Sequence, residues 1–148
     1  MMASKRSAGN SPHPADTPAG VVGLGLMGTS IATCLLAAGH PVAGVEADAA
    51  QRRRAVRRVA ALLREMKTEG LLRRDPAGLL KRFAVSDSYS ILENAAVVIE
   101  AVTESLDTKK EVYRRVEQVV SAGALIGSNT SAIPVTDLQQ GALHPERI

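Results

Sequence analysis

Val22-Gly23-Leu24-Gly25-Leu26-Met27-Gly28 is the stretch on which the reading of this 148-residue chain turns. Its glycines are spaced G-x-G-x-x-G, a pattern that a plain glycine turn also produces. The flanks decide between the two. A short apolar run, Ala19–Gly23, precedes it, and a helical pattern from about Met27 to Ala38 follows. In a strand–turn–helix setting each glycine has a task. Gly23 permits the sharp exit from the strand, Gly25 lets an anion approach the backbone, and Gly28 lets the helix lie against the strand. The free N–H groups of the first helical turn then face a diphosphate, with the helix dipole assisting.

Moving outward, Gly39 stops this helix and Pro41 prevents it from resuming. A second apolar run, Val42–Val45, ends at Glu46, eighteen positions after Gly28. A carboxylate at this distance accepts hydrogen bonds from the adenine ribose of a dinucleotide, and its charge repels a 2′-phosphate. Ala47, not an arginine, follows it, and Arg52–Arg54 fall on the next helix. The expected cofactor is therefore NAD, with Gly23, Leu24, Gly25, Leu26, Met27 and Gly28 around the diphosphate and Glu46 on the ribose.

Farther along, Asp48 to about Glu69 reads as a long helix with Val56, Val59, Ala60, Leu63 and Met66 inward and arginines outward. Gly70 ends it, and Asp75–Pro76 opens a short helix to about Arg82. Phe83–Val85, Ala96–Ala101 and Ala124–Ser128 read as further strands. Asp107 caps a helix to about Val120, and another helix starts near Pro134. Alternating strands and helices with apolar strands predict an α/β fold of the Rossmann type. Its doubly wound, mainly parallel sheet runs in the order 3-2-1-4-5, with residues 48–82 as a helical hairpin insertion.

Residues 1–18 are rich in Ser, Pro and Ala and are expected to form a disordered tail, leaving 19–148 as the domain. Lys5 and Arg6 are not followed by the apolar core of a targeting signal. No run is long enough to span a membrane. The single cysteine excludes an internal disulfide and suits a reducing cytoplasm; Cys34 is expected to be a small buried hydrophobe. No metal is expected. The net charge of +3 gathers on the 52–67 helix, and aromatics are only 2%, so the arginines read as a solvated face and not as a nucleic-acid groove. His40 is expected to be an exposed turn residue.

Two further stretches carry a family resemblance. With the glycine turn, Val98-Ile99-Glu100-Ala101-Val102-Thr103-Glu104-Ser105-Leu106-Asp107-Thr108-Lys109-Lys110 and Gly127-Ser128-Asn129-Thr130-Ser131 resemble the NAD-binding domain of 3-hydroxyacyl-CoA dehydrogenases from about Gly20 to Ile148. The resemblance implies that Ala101, Val102, Glu104, Lys109 and Asn129 meet the nicotinamide half of NAD. It implies that Ser131 offers its hydroxyl to the nicotinamide ribose and the 3-oxygen of an acyl-CoA. It also implies a homodimer in the complete enzyme, and a hairpin reaching toward coenzyme A with Lys67 as a phosphate contact. From the residues alone, Glu104 and Lys109 also read as a surface ion pair, and S-N-T-S as a strand-to-helix turn.

The chain departs from the family at Ala132, where a second serine is usual. The family's sixth strand, with its His in a His-Phe-Asn-Pro-like context, and the helical domain have no counterpart in these residues; His13, His40 and His144 do not match that histidine. Strand Ala124–Ser128 is then expected to be an exposed edge, and this chain to bind cofactor with negligible turnover. Two other readings stand beside this one. The first is a catalytically silent NAD(H)-binding module or half of a split enzyme. The second is a β-hydroxyacid dehydrogenase of the 3-hydroxyisobutyrate type, which shares GLGLMG but not S-N-T-S.

Overall fold

The computed structural model describes residues 16–148. Five strands, β1 (Ala19–Val22), β2 (Val42–Val45), β3 (Phe83–Ser86), β4 (Val97–Glu100) and β5 (Leu125–Ser128), form one sheet in the order β3-β2-β1-β4-β5. Every pairing is parallel. The helices are α1 (Leu26–Ala38), α2 (Ala49–Thr68), α3 (Pro76–Leu80), α4 (Leu106–Glu117) and α5 (Val135–Gln139), with 3-10 turns at Tyr89–Leu92 and Pro145–Arg147. This is the predicted α/β Rossmann arrangement.

Alternation along the strands builds two cores. Val21 and Val42 face α1, α2 and α3, joining Leu24, Ala32, Leu36, Val59 and Leu63. Val22 and Val45 face the other way, toward α4 and α5, with Val98, Val112, Val116 and Ile126. A period of two thus fills both faces, as a parallel sheet requires. Helix α1 buries mainly small residues, Gly28, Thr29, Ala32, Thr33 and Leu36. The Thr29 and Thr33 hydroxyls each donate at 2.7 Å to a carbonyl one turn back, so neither is left unpaired.

Several expectations are corrected. Of the predicted tail, residues 1–15 lie outside the described residues, but Thr17 and Pro18 are part of the domain. The Pro18 carbonyl accepts the Ala96 N–H at 2.9 Å, and the Thr17 carbonyl meets His40 Nδ1 at 3.0 Å. His40 is therefore half-buried and held, unlike a free turn residue. Cys34 is exposed. It lies two positions from both Ala32 and Leu36, about 200° around the helix from the buried stripe. Helix α2 buries Ala55, Val59 and Leu63, while Val56 is only half-buried. Ser105, not Asp107, caps α4, its Oγ accepting the Thr108 N–H, and Asp107 sits in the first turn, where its charge suits the dipole.

The register positions the site. Val45 pairs with Ser86, Val22 with Val45 and Glu100, and Glu100 with Ser128. The carboxyl ends of all five strands are therefore level, and Gly23, Glu46, Asp87, Ala101 and Asn129 leave the sheet along one edge. Between β1 and β4 the strand order reverses, the place where open α/β sheets take ligands.

Candidate cofactor-binding site

A cleft of about 860 Å³ opens on this edge. The glycine turn forms its floor. Gly23 has φ +88°, and a side chain there would come within 2.8 Å of the Ala101 carbonyl. Gly28 packs so closely that a methyl group would lie 1.8 Å from the Gly23 oxygen. Gly25 is different: its φ of −72° suits any residue, and a side chain there would meet nothing within 4 Å. The space it leaves faces the N-terminus of α1, which has no side-chain cap. By contrast, α2, α3 and α4 are capped by Asp48, Asp75 and Ser105. The helix amides that a cap would satisfy remain available to an anion.

Leu24 serves two functions. Its side chain is fully buried and fits into the notch left by Gly44, where a Cβ would meet Leu24 Cδ1 at 2.9 Å. Its N–H donates to Glu46 Oε2 at 3.1 Å. The other carboxylate oxygen of Glu46 accepts the Asp48 N–H at 3.2 Å. Glu46 therefore stands beside the turn, as its sequence position predicts. Leu26 and Met27 project outward and are 64% and 51% exposed. Together, the uncapped helix, the space at Gly25 and this carboxylate suit the diphosphate and ribose of a dinucleotide.

Arg52 does not serve the cleft. It donates to the Glu46 and Ala47 carbonyls at 2.6 and 2.7 Å and pairs with Asp87 at 3.3 Å, tying α2 to the ends of β2 and β3. Arg54 does line the cleft, with Gln51, Tyr89 and Arg115, the last lying 4.9 Å over the Tyr89 ring. The sequence reading discounts Arg54 because it falls on the helix after Glu46, yet that helix's first turns border the cleft; Gln51, Tyr89 and Arg115 are not singled out. The signal for Gln51 and Arg54 is their place on the first turns after the Asp48 cap; nothing in the sequence brings Tyr89 to Arg115.

At the other end of the edge, Ala101 and Val102 line the cleft. Lys109 is 1% exposed, so Glu104 and Lys109 are not a surface pair. The ammonium lies 2.7 Å from Glu100 Oε1 and 3.3 Å from Glu104 Oε2. Glu104 Oε1 in turn accepts the Thr130 hydroxyl and, at 3.3 Å each, the N–H groups of Ser131 and Ala132. The Thr130 hydroxyl, with help from Lys109 and the Ala132 amide, holds the Glu104 carboxyl down at about 2. S-N-T-S is thus a turn wrapped on a carboxylate, with Asn129 and Ser131 exposed on its outside.

Glu100 is the site residue that sequence reading passed over. It ends a buried strand, and a charge there needs partners; the Val-Val-Ile-Glu run was the available sign. Lys67 lies apart. Nineteen positions along α2 from the Asp48 cap, or about 28 Å, its ammonium donates to the Arg73 carbonyl at 2.8 Å, and it does not line the cleft.

Comparison with known proteins agrees with this geometry. The family model described as 3-hydroxyacyl-CoA dehydrogenase, NAD binding domain, matches residues 18–148. A peroxisomal fatty acid beta-oxidation multifunctional protein of Arabidopsis thaliana is 31% identical over 95% of this chain and 19% of its own length. The 3-hydroxyadipyl-CoA dehydrogenase of Escherichia coli is 32% identical over 86% of this chain and 27% of its own. Among solved structures, the (S)-3-hydroxybutyryl-CoA dehydrogenase of Ralstonia eutropha superposes with a TM-score of 0.82 at 32% identity, covering 89% of this chain and 47% of that one. The chain thus spans less than half the length of each of these relatives. The match through Ser128–Ser131 favours this family over the 3-hydroxyisobutyrate type that the glycine turn alone left open. A dinucleotide cleft at the strand-order reversal, with the 18–148 match across it, makes this chain a member of the 3-hydroxyacyl-CoA dehydrogenase family, in its NAD-binding domain.

Proposed function

We propose that this domain holds NAD for the oxidation of an L-3-hydroxyacyl-CoA to the 3-oxoacyl-CoA. The observation that carries the reading is the open space at Gly25, over an uncapped helix and beside Glu46. In this reading the amides of Leu26, Met27 and Gly28 bind the diphosphate, and Glu46 exchanges its bond to Leu24 N–H for the ribose hydroxyls. Ala101, Val102, Glu104 and Asn129 border the nicotinamide half, and buried Lys109 acts there through its pairing with Glu104. The Ser131 hydroxyl meets the substrate's 3-oxygen and orients it. NAD, when bound, accepts the hydride.

The residues lining the cleft include no histidine. In this reading the proton of the 3-hydroxyl is taken by the histidine that the family resemblance implies, and the domain contributes binding and orientation. Exposed Lys67 is the coenzyme A contact in this proposal, and the active form is a homodimer. No helix of the described residues is long and apolar enough to cross a membrane; the cytoplasm is the proposed compartment.

Calorimetry with NADH tests the cofactor part, with micromolar binding expected and absence of heat fatal to it. Oxidation of NADH with acetoacetyl-CoA, with and without a downstream polypeptide carrying the family's His, tests the chemistry. Turnover that appears only with that polypeptide is the expected outcome, and a silent pair would leave a binding module alone.

A further inference from the structure

We infer that Glu100 is a positioning residue for the nicotinamide half of the cofactor, acting through the S-N-T-S turn and the end of β4. The inference rests on the cofactor reading above.

Glu100 is fully buried, and four donors converge on its carboxylate. Oε1 accepts the Val102 N–H and the Lys109 ammonium, each at 2.7 Å. Oε2 accepts the Ser128 hydroxyl at 2.7 Å and the Tyr113 hydroxyl at 3.3 Å. A carboxylate offers about four acceptor directions, so all are used.

Such a group is a poor choice for stability alone. A buried ion pair roughly breaks even with apolar side chains of the same volume, because desolvation offsets the attraction. What Glu100 does provide is geometry, since three of its four donors, Val102, Ser128 and Lys109, lead on toward the cleft. Val102 lines the cleft directly, and its N–H is fixed by Glu100. The Ser128 hydroxyl, while donating to Glu100, accepts the Thr130 N–H at 3.1 Å. Lys109 passes the contact to Glu104, which holds Thr130, Ser131 and Ala132. The Glu100 carbonyl also accepts the Asn129 N–H at 2.8 Å. Two side-chain routes and one main-chain route thus run from one residue to the turn that carries Asn129 and Ser131.

The other buried charged pair among the described residues, Glu117 with Arg147, is separate from this network. It holds residues 143–147 against α4 and reaches no cleft residue.

Glu100→Gln keeps the shape and removes the charge. The amide oxygen can still receive Val102 and Lys109, and the Ser128 and Tyr113 hydroxyls can turn to accept from the amide nitrogen. The fold survives, but Lys109 is left with Glu104 as its one carboxylate and the turn loses its fixed anchor.

The test compares NADH with ADP-ribose, which keeps the adenosine and diphosphate but lacks the nicotinamide, by calorimetry on the full chain. For Glu100→Gln, NADH affinity should fall about tenfold. ADP-ribose should stay within about twofold, since none of the four donors on the Glu100 carboxylate belongs to the glycine turn, which meets this network only through the Val102 side chain beside Gly23. Equal losses for both ligands, or none, would overturn the inference. If the variant does not fold, Ser128→Ala decides instead. It removes a single donor, and the same split at about threefold is expected; no split overturns the inference. A wild-type chain that binds neither ligand would remove the cofactor reading itself, an outcome distinct from wild-type binding of both with no split in the variants.

Discussion

Two glycines three residues apart make opposite predictions when each receives a side chain. At Gly25 the backbone is ordinary, with φ −72° and ψ −156°, and nothing lies within 4 Å of the added carbon. Gly25 is the N-cap of α1, where valine is poorer than glycine, so Gly25→Val should cost about 1 kcal/mol of unfolding free energy and no more. Its side chain would fill the space over the α1 amides. Losing two hydrogen bonds from these amides to a charged diphosphate, at about 1.5–3 kcal/mol each, weakens NADH by about 10²–10⁴-fold. At Gly28 the added methyl lies 1.8 Å from the Gly23 oxygen, where contact needs about 3.3 Å. Helix α1 must retreat from β1, at a cost at or above the top of the 1–3 kcal/mol range typical of overpacking, of which alanine's better helix propensity returns about 1 kcal/mol. Urea melts and NADH titrations of both variants are the assay. A Gly25→Val protein that binds NADH like wild type would refute the assignment of this space to the ligand. A Gly28→Ala protein with an unchanged melt would refute the packing argument.

Glu46→Ala should weaken NADH by about ten- to a hundredfold and narrow its advantage over NADPH; equal wild-type affinity for the two would remove the role given to this carboxylate. The Glu104 carboxyl titrates at about 2, well below its ordinary 4.5, so its hold on the turn is complete above pH 4.5 and is lost as pH falls from there through about 2. Amide protection at Ser131 and Ala132 should follow that window and become pH-independent in Glu104→Gln; the same protection profile in both proteins would contradict it. Exposed Cys34 should be alkylated in the native protein within about tenfold of its rate in urea, whereas protection by orders of magnitude would mean that this face of α1 is covered.

The fold was readable because its signals are local. The glycine spacing, the stops at Gly39 and Pro41, and the caps Asp48 and Asp75 all act within one turn of the chain. Strand order came with the Rossmann pattern that the glycine turn signals, and right-handed crossovers are consistent with it. The misreadings concern which way a side chain faces. Cys34 sits among apolar neighbours in sequence but across the helix from them in space. Asp107 and Ser105 are both good caps, and the choice depends on where β4 releases the chain. The network under the turn was half visible. Glu104, Lys109 and Ser131 came from resemblance, but their hub, Glu100, acquires its partners only when β4, α4 and β5 meet. Likewise, the pairing of Tyr89 with Arg115 spans 26 positions and has no pattern in the sequence.

The seat of Leu24 against Gly44 links the sheet's interior to its rim. Because that side chain plugs a gap in the middle of a strand, the loop above it cannot sag or swing without unseating part of the core. Its shape is set during folding, so little ordering remains to be done when a ligand arrives. It follows that enlarging residue 44, remote from any ligand atom, should damage recognition, and that trimming residue 24 in the same molecule should partly restore it. The two positions behave as a lock and its bolt, and their effects should be far from additive.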